Sequence, residues 1–263
     1  MASPIVTLTT DWGDRDFFAG KVKGALYSLI PDVRVVDIAH HVEAHNLMAQ
    51  AFVVRQGCLG FPAQTVHIID LSVAATDEHP FIAVHYHDQY FLCADNGLPA
   101  LAFNDGEREV VRIPTRENGI YNFAAYSLFV KTASQLCGGT ALTDIGPRHD
   151  NLLQRTQSTF LQQESQIRIS IHYIDRYGNV YLGMTYREFE ELRAGRNFRL
   201  MVRDQVVSEF FTSYYQEPAR SGPRHRLCLT VSATGLLELA IREQSFAQIM
   251  GLRINDEVLL SFA

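Results

Sequence analysis

Hydrophobic and polar residues along the first 150 positions form runs that alternate between strand-like and helix-like patterns. Short apolar runs predict strands at 5–9, 33–38, 65–69, 81–84 and 90–93. Longer amphipathic runs predict helices at 18–29, 46–56 and 126–136. This alternation is typical of a layered sheet with flanking helices, so we predict an α/β N-terminal domain over residues 1–155.

The pattern changes after a polar, glutamine-rich stretch at 148–166, of which we predict 156–166 to be a linker. Short strands then predominate, at 167–173, 180–184, 198–202, 206–211, 227–232 and 257–261. Only short helices interrupt them, at 186–192 and 246–250. Residues 167–263 are therefore predicted to form a mostly β C-terminal domain, either a sandwich or a barrel. The polar, proline-containing segment 216–226 is predicted to be a loop.

Composition narrows the class of protein without naming a function. The chain has 263 residues, 47% of them hydrophobic and 20% charged, as in soluble globular proteins. Its net charge is −6 and it has no run of lysine or arginine, so nothing favours a nucleic-acid or anionic-membrane partner. We see neither a signal peptide nor the ~18 apolar residues that a membrane span requires. Four widely separated cysteines fit a reducing compartment, and we expect a cytoplasmic protein.

Aspartates stand where four predicted strands end: Asp11, Asp37, Asp70 and Asp95. In open α/β sheets, ligands bind outside the carboxyl ends of the strands. Carboxylates accept hydrogen bonds from sugar hydroxyls and also suit a cationic ligand. The pattern therefore predicts an acidic, hydroxyl-binding crevice, although each aspartate taken alone is equally typical of a turn or a helix cap.

Other candidate motifs give weaker signals. His40, His41 and His45 follow a predicted strand but lack the HExxH order of a zinc helix, so we interpret them as the polar start of a helix. No GxSxG motif is present, which leaves a hydrolytic triad without support. The stretch YIDRYGNVY contains Tyr177 and Asn179, which either form a hairpin turn or offer a purine an aromatic face and an amide.

Taken in order, the motifs carry a family resemblance. The series TTDWG, AGKVKG, VVDIAH, FPAQTVHIID, ADNG, YIDRYGNV, GLLELA and GLRINDEV runs from about residue 5 to residue 260. It resembles the S-adenosylmethionine hydroxide adenosyltransferase family, which is related to the bacterial fluorinase and chlorinase. The resemblance implies an α/β N-terminal domain and a barrel-like C-terminal domain. It also implies a homotrimer, with each site between one subunit's N-terminal domain and a neighbour's C-terminal domain.

The chemistry that the resemblance implies is displacement at C5′ of S-adenosylmethionine, releasing methionine, with no metal or other cofactor. Asp11 corresponds to the aspartate that holds the ribose diol. Asp175, Tyr177 and Asn179 correspond to the family's D-x-F-G-N segment, which contacts the adenine and methionine ends. The remaining implied ligand-binding residues are Asp95, Asn96, Ser232 and Glu238.

The family's water-activating set of Asp, Arg and His is only partly present. Asp70 is retained, but Asp77 stands at the Arg position and Ala124 at the His position. Loss of a proton-transfer histidine costs roughly 10²–10⁴-fold in rate where such catalysis operates. Because the nucleoside-binding set and Asp70 are retained, we expect an S-adenosylmethionine-binding protein that acts as a weak or altered enzyme, cleaving its ligand to adenosine and methionine. The alternatives are a catalytically silent binding protein and a retained fold whose pocket is no longer used.

Overall fold

A computed structural model of the chain describes residues 3–72, 75–117, 119–156, 160–163, 166–214 and 227–263. The chain divides into two units, Met1–Thr156 and Gln157–Ala263. The predicted loop at 216–226 lies outside the described residues, as do parts of the predicted linker at 156–166. Among the described residues, no helix is both long enough and apolar enough to cross a membrane.

The N-terminal unit contains one six-stranded sheet. Its strands are β1 (Ile5–Thr10), β2 (Arg34–Ala39), β3 (Val66–Asp70), β4 (Phe81–Tyr86), β5 (Gln89–Ala94) and β6 (Glu109–Arg112). Its helices are α1 (Phe18–Leu29), α2 (Leu47–Cys58), α3 (Leu98–Ala102), α4 (Val130–Cys137) and α5 (Leu142–Ile145), and a π-helical segment, Ala125–Phe129, precedes α4. The strand order is β2-β1-β3-β5-β4-β6, in which β4 is antiparallel to both of its neighbours and the other pairings are parallel.

Helices cover both faces of this sheet, which explains why its central strands are apolar on both sides. Val22 and Leu26 of α1 pack with residues of α4 on one face, and Val54 of α2 packs on the other. β3 is buried along its whole length. The α/β prediction is confirmed, and the parallel strands β1, β3 and β5 bring their carboxyl ends to one edge.

The structure differs from the sequence-based expectation at Asp37. We expected this aspartate at the end of a strand, but β2 continues to Ala39 and a bulge lies in the β1–β2 pairing. The Asp37 carboxylate is 2.6 Å from Lys23 Nζ, in a surface ion pair. It therefore does not belong to the crevice at the sheet edge.

The C-terminal unit is built on an eight-stranded antiparallel sheet. Its strands are β7 (Phe160–Gln163), β8 (Gln166–Ile174), β9 (Val180–Thr185), β10 (Phe198–Val202), β11 (Gln205–Val207), β12 (Leu227–Val231), β13 (Leu236–Ile241) and β14 (Glu257–Phe262), with helices α6 (Tyr186–Arg193) and α7 (Phe246–Met250). The order is β11-β10-β14-β8-β9-β13-β12, and β7 pairs with β8. The Phe211 N–H donates to Leu229 O at 2.8 Å, so the segment after β11 meets β12 at the far end of the order. The sheet is thus nearly closed and barrel-like around its own apolar core, as expected.

Three elements of this unit depart from the predicted pattern. β7 lies inside the segment that we predicted to be a linker, where it pairs with β8. The strand predicted at 206–211 ends at Val207. β13 was not predicted, because buried Glu238 interrupts its apolar run.

Candidate functional site

Asp70 is the buried carboxylate at the end of β3, with only 4% of its surface exposed. The Trp12 side chain and the backbone N–H of Ala125 lie near the carboxylate and favour its ionised form. Burial raises its pKa to about 7, with a further contribution from the negative charge of Asp11. Its Oδ1 atom has no hydrogen-bond partner among the described residues. A buried acceptor without a donor calls for one from a ligand or from water.

Asp11 lies beside Asp70, directly after β1, and is tied into the same edge by the residues that follow β3. Its Oδ2 accepts a hydrogen bond from the Ser72 N–H at 3.2 Å. The Asn96 side chain in turn donates to Leu71 O at 3.1 Å and to Ser72 O at 3.3 Å. The structure therefore brings Asp11, Asp70 and Asn96 together. Ser72 connects them and was missed, because nothing in the type or spacing of this serine distinguishes it.

Asp95 also lies at this edge, but its side chain is fully buried. The carboxylate accepts from the Leu153 N–H at 2.9 Å and lies 3.0 Å from His149 Nε2 and 3.3 Å from His79 Nδ1. These contacts occupy both of its oxygens. In this structure Asp95 ties residues 149–153 to the sheet and does not present an acceptor to a ligand.

The two positions that the resemblance assigns to the missing His and Arg lie in different surroundings. Ala124 is 1% exposed and packs in the core next to the π-helical segment. Asp77 extends into solvent, with its Oδ1 3.4 Å from Arg112 Nη2. Arg112, at the end of β6, therefore places a cation beside Asp77, the position that the resemblance assigns to the family's arginine. The sequence reasoning missed Arg112 because β6 was not predicted.

An aromatic wall borders Asp70. The ring centroids of Trp12 and Phe123 are 5.1 Å apart, edge to face, and Phe123 stacks with Tyr126 at 5.9 Å. Lys21 Nζ lies 4.3 Å from the centre of the Tyr126 ring. Phe123 covers one edge of the Trp12 indole, which lies near the Asp70 carboxylate.

In the C-terminal unit, Asp175 organises the turn that carries the predicted base-binding residues. Its Oδ1 accepts from the N–H groups of Tyr177 and Asn179, both at 2.9 Å. Its Oδ2 lies 3.2 Å from Asn179 Nδ2 and 3.4 Å from the Tyr181 hydroxyl. Asp175 is thus engaged within the turn, whereas the Tyr177 ring is 78% exposed.

Tyr177 and Asn179 line a cavity of about 590 Å³, together with Tyr214 and residues of the β13–α7 connection. Glu238 is 1% exposed and accepts a hydrogen bond from the Tyr214 hydroxyl at 2.6 Å. Burial raises the pKa of Glu238. Glu238 therefore supports a wall of the cavity through Tyr214, a residue that the sequence reasoning missed.

Ser232, in contrast, belongs to the β12–β13 connection. Its Oγ is 2.7 Å from Thr234 Oγ1 and donates to Leu236 O at 3.1 Å. The side chain is buried and serves the hairpin. It does not join the cavity that Tyr177 and Asn179 line.

Comparisons with known proteins cover nearly the whole chain. The profile described as SAM hydroxide adenosyltransferase N-terminal domain matches residues 6–146, and that of the C-terminal domain matches residues 169–259. A protein named (R)-S-adenosyl-L-methionine hydrolase from Salinispora tropica is 26% identical over 97% of both chains. A protein of the same name from Methanocaldococcus jannaschii is 22% identical over 97% of this chain and 94% of its own.

Two solved structures show the same fold. An uncharacterized conserved protein from Thermotoga maritima superposes with a TM-score of 0.85 at 21% identity, over 98% of this chain and 99% of its own. A conserved hypothetical protein from Thermus thermophilus gives a TM-score of 0.74 at 19% identity over the full length of both chains.

Proposed function

Because this chain belongs to the S-adenosylmethionine hydroxide adenosyltransferase family, we propose that it binds S-adenosylmethionine and cleaves it to adenosine and methionine. In this reaction the oxygen of a water molecule attacks C5′. The C5′–S bond breaks, and its electron pair passes to the sulfur of the departing methionine. A sulfonium is a good leaving group, so the protein's main task is to align and desolvate the nucleophile.

The observation that carries this proposal is the state of Asp70. Its Oδ1 has no donor among the described residues, and its pKa of about 7 leaves part of the population ionised at neutral pH. A carboxylate in this state can accept a hydrogen bond from the attacking water and take up its proton. The family's histidine is absent at Ala124, so the proton has Asp70 as its proposed acceptor.

Ligand binding is assigned to both units. We propose that Asp11 accepts hydrogen bonds from the ribose hydroxyls while Ser72 holds it through the other oxygen. Tyr177 offers an exposed ring for stacking on adenine, and Asn179 offers an amide to the nucleoside or to the methionine end. We propose that Asp175 and Glu238 act by positioning Tyr177, Asn179 and Tyr214.

The proposal extends to assembly and location. We propose a cytoplasmic homotrimer in which the N-terminal unit of one copy meets the C-terminal unit of another to complete each site. We propose no nucleic-acid partner, and no metal or cofactor in the reaction. A net charge of −6 supports the absence of a polyanionic partner.

A second candidate function is a silent S-adenosylmethionine-binding protein. Two replacements favour it: buried Ala124 supplies no proton-transfer group, and Asp77 places a carboxylate at the family's arginine position. Such a protein would keep the binding residues Asp11, Tyr177 and Asn179 and sequester the ligand intact.

One experiment separates the two functions. The purified chain is incubated with S-adenosylmethionine, adenosine and methionine are quantified by chromatography, and binding is measured in parallel by calorimetry. Equal amounts of both products, abolished in Asp70→Asn, are expected. Binding without product would leave the silent function, and neither binding nor product would refute both.

A further inference from the structure

A second cavity, of about 540 Å³, lies in the N-terminal unit between residues 75–81 on one side and Thr115 and residues 119–122 on the other. Arg112 lines it at the end of β6, opposite Ile82 near the start of β4. Because Phe81 of β4 pairs with Ala94 at the end of β5, the cavity opens at the same sheet edge as Asp70. Phe81 also belongs to the core cluster that contains Ala125, the residue whose backbone N–H lies near Asp70.

Hydrogen-bond donors predominate among the polar groups of this cavity. The Thr76 hydroxyl already accepts from the His79 N–H at 3.0 Å, and the Tyr121 hydroxyl accepts from the Arg116 N–H at 2.7 Å. A hydroxyl whose oxygen is used as an acceptor retains its proton for donation. The polar side chains that line the cavity are Thr76, Asp77, Arg112, Thr115, Tyr121 and Asn122.

Arg112 is the cation of this pocket, and it is only loosely engaged. Among the described residues its partners are the Asp77 carbonyl, 3.2 Å from Nη1, and the Asp77 carboxylate, 3.4 Å from Nη2. The Asp77 side chain is fully exposed, so this ion pair is screened and contributes little. A guanidinium has five N–H donors in a planar fork that matches a carboxylate or a phosphate, which leaves three donors for a ligand.

We propose that this pocket binds the oxyanion group of a second small ligand, a carboxylate or a phosphate, which takes Arg112 over from Asp77. The bound oxyanion would accept from Arg112 and from the hydroxyls of Thr76 and Tyr121. This site uses none of the side chains proposed to hold S-adenosylmethionine. It places a second ligand at the edge of the sheet where Asp70 lies.

The test is a calorimetric titration of the full chain without S-adenosylmethionine. Potassium phosphate and potassium succinate serve as probes, with the ionic strength held constant by potassium chloride. Saturable binding of at least one anion is expected. Arg112→Gln should weaken it by about tenfold or more, because charge-assisted bidentate contacts are lost. Asp77→Asn should strengthen it a few-fold, because the competing carboxylate is removed.

Arg148→Gln is the matched control, since Arg148 is an exposed arginine of the same unit whose partner is Asp150, 2.5 Å away. It should bind as the parent does. Phosphate binding without succinate binding, or the reverse, supports the site and identifies the group that it takes. No saturable heat with either anion overturns the proposal, as does equal weakening by Arg112→Gln and Arg148→Gln. If Arg112→Gln does not fold, Asp77→Asn decides: unchanged or weaker binding refutes the site.

Discussion

Two buried titratable residues on β3 are perturbed in opposite directions. Asp70 has its pKa raised to about 7 by burial and by the charge of Asp11. His67, fully buried, has its pKa lowered to about 4 by burial, although its ring lies 3.2 Å from Gln89 Oε1 and 2.7 Å from Thr7 Oγ1. Both residues are therefore held towards their neutral forms. Asp70 makes the free energy of unfolding fall as pH rises, and His67 makes it rise.

Asp70→Asn tests the first sign. Because the folded-state pKa is raised, the folded chain holds this proton more tightly, and stability falls as pH rises from 3.8 to about 7. The substitution should remove this loss, making the variant more stable than the parent at pH 8 by up to about 2–4 kcal/mol. Denaturant unfolding across this pH range measures it. Asp150→Asn, at an exposed position, is the control. An Asp70→Asn profile that equals the profile of the parent would contradict the raised pKa of Asp70.

His67→Gln tests the second sign. Here the folded-state pKa is depressed, so stability is fully present above pH 6.5 and is lost as pH falls towards about 4. The glutamine cannot become charged. As pH falls between these limits, the free energy of unfolding of the variant should therefore decrease by about 2–3 kcal/mol less than that of the parent. His87→Gln, at an exposed residue, is the control. Because the two windows overlap with opposite slopes, the parent alone should show a shallow profile that only the variants resolve.

At the scale of elements, the turn that presents Tyr177 depends on a glycine. Gly178 has φ of +83°, and a Cβ there would lie 1.9 Å from Ser245 Oγ, at the start of α7. Gly195 has a similar φ of +79° but no atom within 4 Å of such a Cβ. The two glycines therefore share the backbone requirement and differ in packing.

Gly178→Ala should destabilise the chain by about 1–3 kcal/mol through backbone strain, and by more where the collision displaces α7. Gly195→Ala carries the strain alone, so the difference between the variants isolates the packing against Ser245. Thermal unfolding measures both. We expect ligand affinity to fall only in Gly178→Ala, and equal effects of the two substitutions would show that α7 does not support the turn.

The elements that the sequence predicted well are those whose pattern is local. The helix at 18–29 and the strand at 198–202 coincide with α1 and β10, because their periodicity is uninterrupted. β13 escaped prediction because Glu238 is buried there, satisfied by Tyr214 from a distant part of the chain. The helix predicted at 126–136 begins with the π-helical segment, and a locally wider turn leaves no periodic signal.

The candidate site was predictable as far as topology alone determines it. Parallel strands end at a common edge, so Asp11 and Asp70 could be placed together from strand ends. The burial of Asp95 could not be predicted in this way, because residues 149–153, which cover it, are distant in the sequence. The position of Arg112 near this edge could not be predicted either. Arg112 lies at the end of β6, an antiparallel strand whose pairing with β4 has no local sequence signature.

At the scale of the whole molecule, the proposed trimer makes a sharp prediction about mixed assemblies. Asp70→Asn removes the proposed proton acceptor from the N-terminal unit, and Tyr177→Ala removes the stacking ring from the C-terminal unit. Each variant alone should be strongly impaired. If each site forms between two copies, half of the N-terminal units and half of the C-terminal units in an equal random mixture are intact. About a quarter of the sites should then contain both Asp70 and Tyr177.

Co-expression of the two differently tagged variants, followed by product analysis, measures this recovery. Light scattering on the same samples should give three times the mass of one chain. Mixed samples no more active than the separate variants would indicate a site within one copy, and the mass of a single chain would refute the assembly. Asp70→Asn mixed with itself controls for tags and handling.

Trp12 is the chain's sole tryptophan, and its side chain lies near the Asp70 carboxylate. Selective excitation of tryptophan in the folded protein therefore reads out one position, next to the carboxylate with a pKa of about 7. We expect the emission to change near that pH in the parent, and the part of this change that comes from Asp70 to be absent in Asp70→Asn. The same signal should shift when a nucleoside reaches the edge of the sheet, so the protein carries a built-in optical reporter of its own proton transfer.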